Sequence, residues 1–329
     1  IANACAPHGM ERALEMQQAA AEALGIPTDE VLVGSTGIIG KELNIHRIRE
    51  GIDMVAHNLE HTEDASNEVA HAILTTDLKI KEIAVTTEIG GKTVTVGAIA
   101  KGSGMIHPNM GTMLAFITTD CAITHELLQE ALHQVVPRTF NRVTVDGDTS
   151  TNDMCVVLAN GMAENPLIEW KDEDYETFLA ALACVCREMA RAIASDGEGA
   201  THLIIVEANG LPTEHDARLV AKSIAGSMLF KAAVFGRDAN WGRIMAAAGY
   251  SGADVDPAKA DCSLKSAAGE VQVMKDGFGL DFSEELAKKV LTEHDITVIV
   301  DFHSGDGKAT AFGCDLTYDY VRINGDYRS

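Results

Sequence analysis

Short apolar runs of strand length alternate along this chain with segments whose apolar residues recur at helical spacing. That alternation leaves little besides a mixed α/β fold. Helix formers fill residues 10–24, with Met10, Leu14, Ala21 and Leu24 on one face, until Gly25 and Pro27 stop the run. Residues 30–34 (EVLVG) read as a short strand entering the loop STGIIG. Ile48, Ile52, Val55 and Leu59 predict a helix over 46–60 with Val55 and Leu59 on its buried face. Residues 79–86 and 93–100 flank Gly90 and Gly91 and predict a hairpin. A strand is expected at 112–119 and helices at 124–136 and 173–194, the latter with Phe178, Leu182, Val185, Met189 and Ile193 on one face. Further strands are expected at 139–145, 154–159, 202–207, 296–301 and 309–314, and helices at 214–225 and 283–293. No internal repeat or low-complexity linker divides the chain.

Composition narrows the partners. The 329 residues carry 26 Lys+Arg against 49 Asp+Glu, a formal net charge of −23, so nucleic acid and anionic membrane surfaces are poor partners. The longest apolar run, 178–186, is under half the ~20 residues a membrane-spanning helix needs. Seven scattered cysteines with no CxxC pair point to reduced thiols and a cytoplasmic location, not to a disulfide framework or a zinc knot. The chain begins at Ile1 with no apolar leader, and the missing start Met suggests that upstream residues have been removed.

Several local motifs have plain alternatives. Gly34, Gly37 and Gly40 suit a dinucleotide loop, but their spacing is not GxGxxG, and Lys41 precedes Glu42 where a phosphate loop has Ser or Thr. A tight turn explains them as well, and its backbone N–H groups remain free to serve another anion. His57, Glu60 and His61 match the HxxEH of inverted zinc proteases, yet both histidines fall toward solvent near a helix end. In VDGDTSTND (145–153), a calcium loop lacks its turn glycine and its terminal glutamate, and an aspartic-protease dyad lacks its second half. A hydrogen-bonded turn is the expected reading. No metal site is expected.

Long motifs carry more. The segment KGSGMIHPNMGTMLAFITTD (101–120) resembles the self-cleavage segment of the ornithine acetyltransferase family, also called glutamate N-acetyltransferases, which are N-terminal-nucleophile enzymes. The likeness runs through ANAC (2–5), STGIIG (35–40), AILTTD (72–77), FNRVTVDGDTSTND (140–153) and ASDGEGATHLI (194–204). It continues through FGRDANWGRI (235–244), GDGKATAFGCDLTYDYVRIN (305–324) and the closing GDYRS.

The resemblance implies a layered α-β-β-α sandwich, with strands ahead of ANAC that this chain does not include. It implies a cut between Gly111 and Thr112, giving segments 1–111 and 112–329 that share one fold. Thr112 would then own a free α-amine beside its hydroxyl. An α-amine titrates near ~7.7–8.0 and can serve as that hydroxyl's general base. The implied reaction passes an acetyl group from N-acetylornithine to glutamate, giving ornithine and N-acetylglutamate, with no bound cofactor. Acetyl-CoA is left open as a second donor. Thr36 (hydroxyl) and Gly37 (backbone N–H) would form the oxyanion hole. Thr75, Lys101, Thr112, Glu198, Asn324 and Ser329 would contact substrate, and two cleaved protomers would form a heterotetramer. An amidase or aminopeptidase on the related fold, and a non-cleaving scaffold, are the alternatives. The chain departs from the family pattern at Ala6, Pro7 and His8, at Leu78, and at Gly111, where alanine is usual.

Overall fold

The structure, a computed structural model, describes residues 6–107 and 113–326. Helix α1 (Gly9–Leu24) ends at Gly25, whose φ of 67° is the left-handed cap that glycine adopts without Cβ strain. Helices α2 (Ile45–Ala56) and α3 (Glu63–Ala72) are capped by Asn44 and Thr62, whose side chains accept the Arg47 and Ala65 amides. The expected strand at 30–34 does not form. The segment lies extended beyond a short 3₁₀ turn, and no described strand pairs with it.

The glycine pair closes a two-residue hairpin between β1 (Lys81–Ile89) and β2 (Lys92–Lys101), in register from Ile89 opposite Lys92 to Lys81 opposite Ala100. Strand β3 (Leu114–Thr119) runs antiparallel to β2. After α4 (His125–Val135) and the two-residue β4 (Val143–Thr144), β5 (Met154–Ala159) pairs with β3 in parallel. The resulting sheet has the order β1-β2-β3-β5.

Helix α5 (Glu173–Ser195) follows, its N-terminus capped by Asp172. The expected face is the one it buries: Phe178, Leu182 and Val185 are wholly inaccessible. Beyond it lie β6 (Leu203–Leu211), α6 (Glu214–Gly226), α7 (Met228–Phe235), α8 (Trp241–Gly249), β7 (Asp261–Ser266), β8 (Gly269–Lys275), β9 (Phe278–Gly279), α9 (Glu284–Val290), β10 (Asp295–Asp301), β11 (Gly307–Cys314) and α10 (Tyr318–Asp326). Seven strands form a second, mixed sheet in the order β4-β11-β6-β10-β7-β8-β9.

Two cores follow. One joins α4 and α5 to the small sheet and to Leu203, Phe312 and Cys314 of the large one. The other fills the opposite face of the large sheet beneath α6, α8 and α9. Helix α5 therefore packs against strands of both sheets. The α/β class read from the sequence is the class observed.

Two expectations are corrected. Helix α2 stops at Ala56 and buries none of its residues; Val55 and Leu59 are exposed and line an open groove of about 1070 Å³ against the outer face of the small sheet. His57 caps that helix with its ring on the Asp53 carbonyl, so HxxEH does not lie on one helix. Among the described residues no side chains cluster as a metal site, and no helix is long and apolar enough to cross a membrane.

Candidate active site

Strand register assembles the site at one end of the small sheet. Lys101, the last residue of β2, stands opposite Leu114 at the start of β3, and Leu114 stands opposite Met154 at the start of β5. Lys81, the first residue of β1, lies at the same end. The lead-in loop 101–107 and residue 113 therefore converge there. Gly111 and Thr112 lie outside the described residues, as does Ser329.

The lead-in is held at nearly every residue. The Gly102 amide donates to Asp77 Oδ1 (2.6 Å), and Ser103 Oγ donates to the Asp196 carbonyl (2.7 Å). Asp146 accepts two successive amides, from Met105 (2.6 Å) and Ile106 (3.0 Å), while the Val145 amide donates to the Ile106 carbonyl (2.6 Å). His107 Nδ1 lies 2.9 Å from Thr144 Oγ1, and the Thr149 hydroxyl donates to the His107 carbonyl. Met105 takes a left-handed φ of 55°, which is rare for a side chain of this kind and is kept here by those bonds. Downstream, the Met113 carbonyl accepts the Met154 amide (2.9 Å). The expected turn in 145–153 is thus a working one: Asp146 anchors the lead-in.

A buried ion knot supports this loop. Lys81 Nζ donates to Asp77 Oδ1 (2.7 Å) and Asp196 Oδ2 (2.6 Å), all three side chains being at most 5% exposed. Asp196 also accepts the Leu78 and Lys79 amides, and Asp77 accepts the Thr75 amide. Burial pushes the Asp77 carboxyl up, but the Lys81 ammonium and the Gly102 amide outweigh it and hold the group below the usual range. Sequence reasoning missed Asp77, Lys81 and Asp196 as a unit, although AILTTD and ASDGEGA contain both acids.

The structure brings together three of the expected substrate residues. The Asn324 amide donates to Glu198 Oε2 (2.7 Å), and Glu198 is buried with its carboxylate against Gly104. A Cβ at Gly104 would lie 2.3–2.5 Å from that carboxylate, so any larger residue there would displace the Glu198 side chain. Lys101 is half-buried; burial lowers its pKa, and the nearby carboxylates Asp77, Glu198 and Asp153 oppose that fall. Lys101 thus lies within electrostatic reach of Glu198, a placing of opposite charges that suits a zwitterionic amino acid. Thr75 is tied to the cluster through Asp77. The loop with Thr36 and Gly37 is anchored two residues earlier: a Cβ at Gly34 would meet the Met154 methyl at 2.5 Å and the Phe116 ring at 3.4 Å. No hydrogen bond joins Thr36 or Gly37 to the other site residues among those described.

Asp153, also unforeseen, precedes Met154. Its Oδ1 is buried with no hydrogen-bond partner among the described residues. Burial pushes this carboxyl up to about 7, against the opposing pull of the Met113 amide and Lys101. Since the folded-state pKa lies above the unfolded one (~3.9), the native state holds the proton more tightly. This group's contribution is therefore largest at acid pH and declines as pH rises from about 4 to 7. Asp153→Asn is expected to lose that decline: its melting temperature relative to wild type should rise by a few degrees between pH 4.5 and pH 8. A relative melting temperature independent of pH would refute this.

The ArgJ family model matches residues 1–329. The chain belongs to the ArgJ family. It is 52% identical over 329 residues to the "Arginine biosynthesis bifunctional protein ArgJ" of Symbiobacterium thermophilum, covering all of this chain and 80% of that protein. The ArgJ of Bacillus subtilis is 46% identical over 330 residues, covering all of this chain and 79% of that protein. The chain thus spans about four-fifths of the relatives' length. A crystal structure of ArgJ from Bacillus halodurans is similar at 48% identity and a TM-score of 0.62, covering 64% of this chain and 98% of that one. The family inferred from the motifs is borne out, and so is the reading of the chain as an enzyme.

Proposed function

We propose that this ArgJ chain, cut between Gly111 and Thr112, carries an acetyl group from N-acetylornithine to glutamate on the Thr112 hydroxyl, within arginine biosynthesis in the cytoplasm. The observation that supports the reading is the nearness of Lys101, beside the start of β3, to the buried Glu198, which holds the Asn324 amide. N-acetylornithine has a carboxylate and a side-chain ammonium. Lys101 suits the first and Glu198 the second.

Self-cleavage begins with attack of the Thr112 hydroxyl on the Gly111 carbonyl. The C–N bond breaks as the C–O ester forms, and the proton passes to the Thr112 nitrogen. Water then opens the ester, leaving a Gly111 carboxylate and a free Thr112 amine. In the transfer, that amine takes the hydroxyl proton while the oxygen attacks the acetyl carbonyl. The oxyanion is held by Thr36 and the Gly37 amide. The amide C–N bond breaks, the proton goes to the departing ornithine nitrogen, and acetyl-Thr112 remains. The glutamate amine then attacks the ester, Thr112 recovers its proton, and N-acetylglutamate leaves. The framework is the layered α-β-β-α sandwich that the resemblance implies, and two cut protomers assemble as a heterotetramer. Acetyl-CoA serves as the alternative donor to the same threonine, in keeping with the relatives' name of bifunctional protein.

The test is mass spectrometry of the active enzyme after rapid mixing with N-acetylornithine. It should show the 112–329 fragment heavier by one acetyl group, and an unmodified fragment during turnover would overturn the proposal. Glu198→Gln is expected to raise KM for N-acetylornithine by about tenfold or more, the loss of one charge-assisted contact. An unchanged KM would remove Glu198 from the substrate site.

A further inference from the structure

The chain has nearly two acids for each base, yet in one place the balance reverses. A groove of about 460 Å³ between the end of α4 and the start of α6 is lined by Arg138, Arg142 and Arg218, with Glu214 as its acid. Arg138 forks onto Glu214, with Nε and Nη2 each 3.0 Å from one carboxylate oxygen. Arg142, only 4% exposed, donates from Nη2 to the same carboxylate (3.0 Å) and from Nε to the Pro137 carbonyl (2.9 Å). Both guanidiniums are therefore fixed in orientation.

Arg218, the third cation, meets an imidazole instead of a carboxylate: its Nη2 lies 3.0 Å from His215 Nδ1. Lys222, one turn further along α6, is pushed down to about 8 by burial and by the charges of Arg218 and Arg142. Asp216, the other acid in the first turn of α6, accepts the hydroxyl of the capping Thr213 (2.6 Å). Three arginines thus line the groove with Glu214 as its one lining acid, an excess of positive charge that an entering anion relieves.

We propose that this groove is a phosphate-binding subsite that takes the phosphate or pyrophosphate group of a phosphorylated ligand. Guanidinium forks match phosphate oxygens in geometry. The N–H groups that Arg138 and Arg142 do not give to Glu214 or Pro137, together with those of Arg218, still outnumber what the two oxygens of a single carboxylate ligand take up.

Its position gives the subsite a use. Pro137 lines both this groove and a smaller cavity of about 150 Å³ whose wall includes Met113 and Asp153. The charge of Lys222 also reaches His107, which burial and that charge push down to about 4. A phosphorylated acyl donor such as acetyl-CoA, anchored at its phosphate end, would have its acyl end near the start of β3. That last step alone rests on the function proposed above.

The experiment is isothermal titration of the purified protein with inorganic pyrophosphate and, separately, with coenzyme A. Binding of pyrophosphate is expected, weakening as salt is raised. Arg218→Ala should weaken it at least tenfold while leaving the melting temperature of the unliganded protein unchanged; Arg218→Lys should restore part of it. Arg187→Ala, which removes an exposed arginine of α5 that does not line the groove, should bind as wild type does. Competition between pyrophosphate and coenzyme A would assign the subsite to the donor, and pyrophosphate binding alone would assign it to a free phosphate. Absence of pyrophosphate binding, or equal affinity in Arg218→Ala, would overturn the proposal. Acetyl exchange between N-acetylornithine and glutamate by the wild type, in the same preparation, reports on the functional reading separately.

Discussion

Thr112→Ala is expected to yield one uncut chain of 35.0 kDa that transfers no acetyl group, with activity lower by on the order of 10⁴-fold or more. Both losses have one origin. The hydroxyl that would attack Gly111 is the hydroxyl that would later carry acetyl, and alanine supplies neither. Thr112→Ser separates chemistry from packing: it keeps the oxygen and drops a methyl group, so it should still be cut and still turn over, more slowly at each step. A denaturing gel and N-terminal sequencing follow the cut, and radiolabel exchange follows the transfer. Transfer surviving in the alanine variant would remove Thr112 from the mechanism.

The second large effect concerns stability. Lys81→Met would leave Asp77 and Asp196 facing each other in a dry interior without their shared ammonium. Breaking a buried ion pair by removing one partner costs about 3–5 kcal/mol, a large fraction of the ~5–15 kcal/mol that a typical domain has. The urea midpoint should fall accordingly, or the variant should be found insoluble at 37 °C. The triple variant Asp77→Asn, Lys81→Met, Asp196→Asn removes the uncompensated charges and should recover part of that loss. If Lys81→Met alone leaves the midpoint in place, the knot is not what holds the lead-in. Because the same knot positions Thr75 and the Gly102 amide, turnover of the soluble fraction should also drop.

Much of the scaffold is legible from local pattern. The hairpin of β1 and β2 shows in its paired glycines, and α5 shows in five apolar residues at helical spacing, because both elements are decided by neighbours in sequence. The segment 30–34 has strand-like residues and forms no strand, since a strand needs a partner and none of those described lies beside it. Strands β7 and β8 were not expected, although Cys262, Leu264, Val271 and Val273 alternate with polar residues around a turn of small residues, the period of a half-buried hairpin. At the site, Lys101, Glu198 and Asn324 stand out only through long motifs, as each alone resembles an ordinary surface residue. The knot was invisible for a simpler reason: Lys81 and Asp196 lie 115 positions apart, and no local rule pairs them.

The neighbouring positions of β2 and β3 carry a consequence for maturation. The proposed cut falls between these two strands, which run side by side from Val96 opposite Thr119 to Lys101 opposite Leu114. The fragments would then be halves of one sheet and could not drift apart without tearing it. During synthesis, β2 pairs first with β1, and its other edge stays open until β3 has left the ribosome. Under the proposed cut, assembly would therefore come first and scission afterwards, each polypeptide being matured once, in place, and a premature nick would strand both pieces with raw sheet edges.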